Sequence, residues 1–401
     1  MKIGVYFDSA KSLGGAHSQN LRLIEIFNQY FSNKYEINYI VSNLDQKTLL
    51  EKKGEKVLYL KKNFWFKIEQ FLFRFSFFKE IYKKFSLNNK FENELIKNKF
   101  DLIFFNSPVE QVLLINKLNF VVMLLSMQHV TTPILPEYKT GHDIEIRNDI
   151  INHSVKKSFK IFVGAEKDKD FLIKYFNSDA KKIIVQSYLF TLPYIYEFNK
   201  DLDYNDIYQK LNLPNKDIIF YPAQFWAHKN HKYILDIAIH LKKKRINENI
   251  FFVFTGFDKG NLSYIKQLIK KNDINDYVKI FDYIDDYQLI SLYKNAYGVL
   301  MPTLIGHTTI PMYESFYFKK NIFYTEGLSD ENLKKYLTEI DINEVESFLE
   351  KFRFTKSNNE QNNNKLDEAK TFFDSHCNEK KIVENFSNAF NEFRKLRSMW
   401  F

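Results

Sequence analysis

The sequence predicts an α/β protein built from two doubly wound, Rossmann-like domains that face a central cleft. Three observations lead to this prediction. Short apolar runs alternate with stretches of helical periodicity, which is typical of parallel sheets covered by helices on both faces. The alternation restarts after about residue 205. The chain has 401 residues, which is enough for two domains of ordinary size.

The N-terminal half opens with a strand, a glycine-containing loop and a helix. Met1–Phe7 is apolar and predicts a buried strand, and Ser18–Phe31 carries apolar residues at helical spacing. Further strands are predicted at Tyr35–Val41, Lys56–Leu60, Asp101–Asn106, Phe120–Leu125 and Lys160–Val163. We therefore assign residues 1–205 to an N-terminal domain.

The second half repeats the alternation more clearly. Strands are predicted at Asp217–Tyr221, Ile250–Thr255, Val278–Phe281, Gly298–Met301 and Asn321–Tyr324. The intervening helices are predicted at His231–Lys244, Leu262–Lys271, Asp285–Asn295 and Pro311–Phe318. Ser357–Lys365 is polar and predicts a surface loop, and Leu366–Leu396 predicts helix. Residues 206–379 form the second predicted domain.

Composition limits the function classes. Lys and Arg number 58 and Asp and Glu 49, and the net charge of +9 admits a nucleic acid, a phosphorylated ligand or an anionic membrane as partner. The single cysteine, Cys377, excludes an intramolecular disulfide and a cysteine-based zinc site. The apolar run near Phe120–Met127 is too short to span a membrane, and the N-terminus lacks the longer apolar core of a signal peptide. We expect a protein that is soluble or lies on a membrane.

The first motif is YPAQFWAHKNH, which follows a predicted strand and precedes a helix. A loop that leads into a helix N-terminus offers free backbone N–H groups and a partial positive charge. Lys229 adds a full charge, so the loop suits a diphosphate. A polar turn with solvated Lys and His side chains explains the local sequence equally well. His228 and His231 lack a visible third metal ligand, and we expect them to face the surface or a substrate.

The second motif is MPTLIGHTTIPMYE, which ends in Glu314. Pro311 suits a first helical turn, because its missing N–H is not needed there. Glu314 lies one turn into the helix, where its carboxylate could accept hydrogen bonds from two ribose hydroxyls. A carboxylate that only stabilises the helix dipole, by about 0.3–1 kcal/mol, is an alternative that the spacing leaves open.

Together the two loops resemble the donor site of retaining glycosyltransferases of family 4, in the glycosyl transferases group 1, which have the GT-B fold. The stretches FTGFDKG and VKIFDYIDDYQLISLYKNA are similar to that family's nucleobase-side segment. The resemblance covers residues 217–327 well. It extends weakly to the N-terminal half through Gly14-Gly15, Gln128-His129 and Arg147. In this fold the C-terminal helix, here about residues 380–401, commonly packs back on the N-terminal domain.

The resemblance implies roles for individual residues. Lys229 matches the phosphate-binding cation and Glu314 the second of two paired glutamates, and both are expected to be catalytic together with His129. The sequence departs from the family at Gln224, where Arg is usual, at Gly306, where the first glutamate is usual, and at Leu125-Ser126, where His-Asp is usual. The expected donor-binding residues are Gly14, Gly15, Gln224, Lys229, Tyr283, Gly306, His307, Thr308, Thr309, Ile310 and Glu314. The acceptor-side candidates are His17, Ser126, Gln128 and Arg147.

The implied reaction is retaining transfer of a hexosyl group from a nucleoside-diphosphate sugar to a glycan or lipid-linked acceptor, in the assembly of bacterial surface polysaccharide or lipopolysaccharide. Lys229 and the amides of Thr308 and Thr309 would stabilise the leaving diphosphate. No D-x-D motif ends a predicted strand, and Asp285-Asp286 is interpreted as a helix cap, so we expect no metal and no other cofactor. The alternative is a catalytically silent GT-B protein that serves as a binding or scaffold subunit. We expect no nucleic-acid partner.

Residues 61–85 form a basic, aromatic stretch, KKNFWFKIEQFLFRFSFFKEIYKKF. Apolar residues at 64, 68, 71, 75, 78 and 82 predict one helical stripe, and seven basic residues accompany two acidic ones. Such a helix suits an anionic membrane surface, although the stripe could instead pack on the N-terminal sheet. We expect a cytoplasmic protein that is peripheral on the inner face of the membrane.

Overall fold

The computed structural model describes residues 1–7, 15–62, 64–73, 75–84, 89–125, 127–138 and 141–399. It divides into two compact units. The N-terminal unit comprises Met1–Pro133, Tyr138–Leu189 and Glu379–Phe401, and the C-terminal unit comprises Ile134–Glu137 and Phe190–Asn378. The division after Leu189 lies earlier than the sequence predicts, because Phe190 packs its ring against Tyr313 of the C-terminal unit, at 5.5 Å between centroids.

The N-terminal unit contains a seven-stranded parallel sheet in the order β3-β2-β1-β4-β5-β6-β7. Its strands are β1 (Lys2–Tyr6), β2 (Glu36–Val41), β3 (Val57–Tyr59), β4 (Leu102–Phe105), β5 (Asn119–Leu124), β6 (Lys160–Val163) and β7 (Ile183–Val185). Its first helices are α1 (Gly15–Tyr30), α2 (Leu44–Lys52), α3 (Phe64–Leu72), α4 (Ser76–Lys84), α5 (Lys90–Lys97), α6 (Gly141–Lys157) and α7 (Glu166–Phe176).

The C-terminal unit contains a six-stranded parallel sheet in the order β10-β9-β8-β11-β12-β13. Its strands are β8 (Asp217–Pro222), β9 (Ile250–Thr255), β10 (Val278–Phe281), β11 (Gly298–Met301), β12 (Asn321–Thr325) and β13 (Thr338–Ile340). Its helices are α8 (Leu192–Phe198), α9 (Ile207–Lys210), α10 (His231–Lys244), α11 (Leu262–Asn272), α12 (Asp286–Asn295), α13 (Ile310–Tyr317), α14 (Val345–Ser357) and α15 (Asn359–His376). Both sheets are doubly wound, as predicted, and β7 and β13 are short edge strands that the periodicity did not reveal.

The last helix, α16 (Glu379–Arg397), belongs to the N-terminal unit. Its Phe386 and Phe390 are fully buried and lie in the same core cluster as the inward-facing residues of β1 and α1. The ring of Phe27 on α1 lies 5.3 Å from that of Phe386 and 5.8 Å from that of Phe390, both edge to face. Aromatic pairs in this geometry add about 0.5–1.5 kcal/mol each to the burial term. The helix is therefore part of the core of this unit.

The polar tract at residues 357–365 is helical, so the predicted surface loop is wrong. Helix α15 begins at Asn359, and Asn362 is buried. Farther along this helix Phe373 packs against Tyr317 of α13, with ring centroids 5.4 Å apart. Polar residues are compatible with helix where one face is solvated, and tertiary packing of the other face overrides their weak propensity.

The basic, aromatic stretch forms two short helices, α3 and α4, rather than one long helix. Phe66 and Phe73 are buried in the core of the N-terminal unit. The predicted stripe contains the exposed Phe64, Phe71 and Phe75, with 71%, 51% and 47% of their surface accessible. Phe66 and Phe73 lie between the predicted stripe positions, and Tyr82 of the predicted stripe also packs against this core. Within the described ranges, no helix has both the length and the apolar character needed to cross a membrane.

Candidate functional site

Strands β8 and β11 are neighbours in the middle of the C-terminal sheet, and the strand order reverses between them. Helices α10 and α13 follow these two strands, so the connecting loops leave the same carboxyl edge side by side. Ligands of doubly wound sheets bind at this switch point. The loops at residues 223–230 and 302–309 form the central parts of the two motifs singled out in the sequence, and the second motif continues into α13. We call them the first and second loops.

Hydrogen bonds hold the two loops together. The backbone N–H of Leu304 donates to the carbonyl of His228 at 2.8 Å, and the Thr303 hydroxyl donates to the same carbonyl at 3.3 Å. The hydroxyl of Tyr221, at the end of β8, donates to the carbonyl of Lys229 at 2.8 Å. The first loop is thus fixed from the strand that precedes it and from the second loop.

Lys229 ends a short 3₁₀ helix, Ala227–Lys229, and Asn230 follows in the left-handed region with a φ of 53°. The Lys229 side chain is half-buried, and its ammonium has no hydrogen-bond or ion-pair partner among the described residues. Desolvation lowers the pKa of this amine to about 8, against a weaker opposing effect of the Glu137 carboxylate. A positive charge kept in this way without a neutralising contact is suited to an anionic ligand.

His228 is paired with Glu137, which belongs to the C-terminal unit although the motifs gave no sign of it. The Glu137 Oε1 accepts the backbone N–H of His228 at 3.0 Å and its Nδ1 at 2.8 Å. Desolvation, aided by the charge of Lys229, lowers the pKa of His228 to about 4. The ring is therefore neutral at physiological pH. A lone Glu in the segment PILPEYK carries no sequence signal that would have identified it.

His231 is a core residue, so the expectation that it faces the surface or a substrate is wrong. It is fully buried, and its ring lies 4.5 Å from that of Phe225 and 4.8 Å from that of Tyr221. Desolvation lowers its pKa to about 3. Its position at the first turn of α10 points it inward, where aromatic neighbours pack around a neutral imidazole. No metal-binding group of three His, Cys, Asp or Glu residues occurs in the described part of the chain.

The second loop turns sharply at Gly306, whose φ of 114° is unfavourable for residues with a Cβ. The Tyr324 hydroxyl donates to the carbonyl of Gly306 at 2.6 Å. Thr309 caps α13 by accepting the N–H of Met312 at 3.4 Å, and Pro311 lies in the first turn as predicted. His307 and Thr308 lie in this turn, and Ile310 is the first residue of α13. The predicted donor-binding residues of the second loop therefore lie close together.

Glu314 is buried, with 6% of its surface exposed. Its Oε2 accepts the hydroxyl proton of Tyr293 at 2.8 Å. Desolvation, with a smaller effect of Asp286, raises the pKa of this carboxyl to about 7 although the Tyr293 bond opposes the shift. Tyr293 was not anticipated from the sequence. It fixes the carboxyl orientation and leaves one oxygen for a ligand hydroxyl.

Two further predicted donor-side residues lie after the ends of β8 and β10. Gln224 Oε1 accepts the indole N–H of Trp226 at 3.1 Å. Tyr283 follows β10 and is 72% exposed, with its ring 6.2 Å from that of Phe257. An exposed aromatic at this edge offers a flat surface to a base. Asp285 forms a capping box with Gln288, which confirms the interpretation as a helix cap.

The other predicted site residues belong to the N-terminal half of the chain. Of the donor-binding predictions, Gly14 falls outside the described residues and Gly15 begins α1. Of the acceptor-side candidates, Ser126 falls outside the described residues and His17 lies in the first turn of α1. His129 is 1% exposed, its Nε2 lies 3.1 Å from Asn148 Oδ1, and desolvation lowers its pKa. This burial favours a structural role for His129, and its catalytic role stays a prediction. The remaining two are the half-buried Gln128 and the exposed Arg147, whose guanidinium lies 5.4 Å from the ring centre of Tyr138.

Residues 203–371 match the family model for glycosyl transferases group 1. No curated protein matches significantly. Among solved structures, Anabaena HepE in complex with UDP-glucose is 13% identical with a TM-score of 0.71, over 98% of this chain and 100% of that one. Sucrose-phosphate synthase from Thermosynechococcus elongatus is 13% identical with a TM-score of 0.72, over 98% and 99%. WaaG, a glycosyltransferase involved in lipopolysaccharide biosynthesis, is 11% identical with a TM-score of 0.63, over 95% and 98%.

These likenesses show that the chain has the GT-B fold, as predicted. The matched family segment contains both loops of the switch point. The resemblance to group 1 glycosyl transferases is thereby confirmed for residues 203–371.

Proposed function

We propose that the protein is a retaining hexosyltransferase of family 4 that uses a nucleoside-diphosphate sugar without a metal ion. The observation that carries the proposal is the unpartnered, half-buried ammonium of Lys229 beside a second loop whose helix begins at Ile310. The amides of Thr308 and Thr309, the N-terminus of α13 and Lys229 supply positive charge where the diphosphate would leave. Glu314 would hold the ribose and Tyr283 would face the base.

The test of the donor site is calorimetry with UDP, GDP, ADP and CMP. We expect one nucleotide to bind the wild type with a micromolar Kd, and Lys229→Ala and Glu314→Ala to bind it more weakly. Lys232→Ala is the matched control, because Lys232 lies three residues further along, is exposed and pairs with Asp236 at 2.6 Å. Wild-type protein that binds no nucleotide would contradict the assignment and favour the catalytically silent alternative.

Metal independence and retention need their own measurements. Lys229 is the charge that we expect to replace a divalent cation at the leaving group. Transfer from the selected nucleotide sugar should continue in EDTA in large excess over divalent ions. NMR of the first product formed should show the donor's anomeric configuration. An inverted product or a full loss of turnover in EDTA would refute the corresponding part of the proposal.

The acceptor is proposed to be a glycan or lipid-linked sugar of a bacterial surface polysaccharide, reached at the inner face of the cytoplasmic membrane. The support is an aromatic surface on α3 and α4, formed by Phe64, Phe71, Phe75 and Phe77, which are all at least 47% exposed. Lys61 and Lys84 flank it and are exposed. Basic residues near an anionic surface contribute about 1 kcal/mol each, and exposed phenylalanines add apolar burial.

Vesicle sedimentation tests the membrane contact. We expect the wild type to sediment with phosphatidylglycerol vesicles and much less with phosphatidylcholine vesicles. The double variant Phe71→Ser and Phe75→Ser should lose most of the bound fraction, whereas Phe198→Ser should not, since Phe198 is 72% exposed in the C-terminal unit. Equal sedimentation of all three proteins would refute the contact.

A further inference from the structure

The carboxylate of Glu137 is the charged group at the first loop that neither motif explains. Its side chain is only 10% exposed. One oxygen, Oε1, accepts both the backbone N–H and the Nδ1–H of His228, and the other, Oε2, is buried without a partner among the described residues. Burying a carboxylate is costly unless it is hydrogen-bonded, and hydrogen bonds to an ionised group are stronger than neutral ones. The two hydrogen bonds from His228 to Glu137 therefore hold His228 firmly in place.

The chemistry of the pair determines which nitrogen of His228 carries the proton. Burial raises the pKa of Glu137, but the hydrogen bonds from His228 lower it by more than burial raises it. The carboxyl is therefore ionised and can only accept hydrogen bonds. Nδ1 must therefore be the donor. Because the imidazole is neutral at physiological pH, Nε2 carries no proton and can only accept a hydrogen bond.

The surroundings of the ring place this acceptor at the donor loop. His228 directly precedes Lys229, and its carbonyl receives the bonds that join the first and second loops. The Trp226 ring stacks beside the imidazole at 6.2 Å between centroids. The His228 side chain keeps 15% of its surface exposed, and Nε2 has no hydrogen-bond partner in the described part of the chain. The ring is thus held at one nitrogen and open at the other.

We propose that Glu137 is a positioning residue that presents Nε2 of His228 as a fixed hydrogen-bond acceptor for a sugar hydroxyl. The hydroxyl belongs to the transferred sugar or to the acceptor. The inference rests on the proposed function, because it assigns the diphosphate of the same donor to the neighbouring Lys229. Glu137 acts only through His228 and does not touch the substrate.

His228→Asn is the discriminating variant, because Asn keeps an N–H near the Nδ1 position for Glu137 and removes the acceptor at Nε2. The probes are UDP, GDP or ADP, whichever the calorimetric screen selects, and the matching glucose ester. We expect the diphosphate Kd to change less than about twofold and sugar-dependent turnover to fall about tenfold, as for one lost hydrogen bond of about 1.4 kcal/mol. His240→Gln is the matched control, since Nε2 of the half-buried His240 on α10 lies 2.7 Å from a carboxylate oxygen of Glu346 on α14.

Two readouts locate the hydroxyl. Donor hydrolysis without acceptor should fall in His228→Asn if the hydroxyl is on the transferred sugar. If it is on the acceptor, hydrolysis should persist and the acceptor KM should rise. Transfer that stays within twofold of the wild type would overturn the proposal.

Nitrogen NMR of the labelled imidazole tests the tautomer without any activity. We expect the Nδ1–H form in the wild type and a shift toward the Nε2–H form in Glu137→Ala. A wild-type Nε2–H signal would also overturn the proposal. A different result would contradict the proposed function itself, namely that Lys229→Ala leaves the Kd for the diphosphate unchanged.

Discussion

The two sheets have the same strand order around their centres, but the polar groups at their switch points differ. In the C-terminal unit, Lys229 and Glu314 follow β8 and β11 and are ionisable, with pKa values moved to about 8 and about 7. In the N-terminal unit, a buried pair of neutral amides follows β4, where Asn106 donates to Asn20 of α1 at 2.6 Å. Topology thus provides a place for a ligand at both edges, and in the C-terminal unit two ionisable groups with shifted pKa values follow the strands that form that place.

Replacing Glu314 by the neutral Gln has the largest expected effect on the difference between the two switch points. The folded pKa near 7 lies above the ordinary value of 4.5, so burial favours the protonated form. Its contribution to stability is fully present below about pH 4.5 and is lost as the pH rises through about 7. The loss is on the order of 3 kcal/mol. The Glu314→Gln variant should not show this pH-dependent loss of stability, since the Gln amide stays neutral.

The measurement is urea unfolding at pH 5 and pH 8. The difference in unfolding free energy between Glu314→Gln and wild type should grow with pH by on the order of 3 kcal/mol. Other buried titrating groups are present in both proteins and cancel in this difference. Glu350→Gln, an exposed position on α14, should show no such growth. A difference independent of pH would mean that Glu314 is already ionised at pH 5.

Asn106→Asp introduces at the N-terminal edge the kind of charge that the C-terminal edge has. Asn106 is 5% exposed, and its replacement loses the donor to Asn20 and buries a carboxylate. We expect unfolding at pH 7 to become easier by about 1–3 kcal/mol, and the loss to shrink near pH 4, where the carboxyl is protonated. Equal destabilisation at both pH values would attribute the effect to the lost amide bond alone.

Lys229→Met separates stability from binding. Removing an ammonium that is desolvated without a partner should raise the unfolding free energy at pH 7 by about 1–2 kcal/mol. The same change should weaken the binding of the selected nucleoside diphosphate about 10- to 100-fold, because charged hydrogen bonds contribute about 1.5–3 kcal/mol. Thermal melts and calorimetry on one preparation test both effects. Weaker binding together with a lower melting temperature would indicate misfolding instead.

The two shifted pKa values also predict a narrow pH range for tight binding. Glu314 becomes ionised above about pH 7, and Lys229 loses its charge above about pH 8. Affinity for the diphosphate should therefore be highest between these values and fall severalfold on either side. Lys229→Arg should remove the alkaline decline, since guanidinium stays charged. An affinity that is flat from pH 6 to pH 9 would contradict the assignment of both groups.

The sequence predicted most of the fold because its signals are local. Buried parallel strands are continuous apolar runs, and the helices between them repeat every three to four residues, so β8 to β12 were found nearly residue by residue. Asp285 and Pro311 identified their helix starts for the same reason. Strands β7 and β13, of three residues each, are too short to show a period.

The same limits explain the errors. Residues 359–365 are polar enough to predict a loop, yet they form helix because later residues of α15 pack on α13. The aromatic stretch was expected to be one helix, but it forms two, Phe64–Leu72 and Ser76–Lys84. His228 and His231 look alike in sequence, and only one of them reaches solvent.

What the sequence alone determined was the alternation of strands and helices and the identity of the two motifs that contain Lys229 and Glu314. These depend on residues adjacent in the chain. The partners of these motifs were decided by tertiary structure. Glu137 lies 91 residues before His228, and Tyr293 lies 21 residues before Glu314. Desolvation and pairing at such separations depend on which elements the fold brings together, so neither the shifted pKa values nor the proton position on His228 could follow from local pattern.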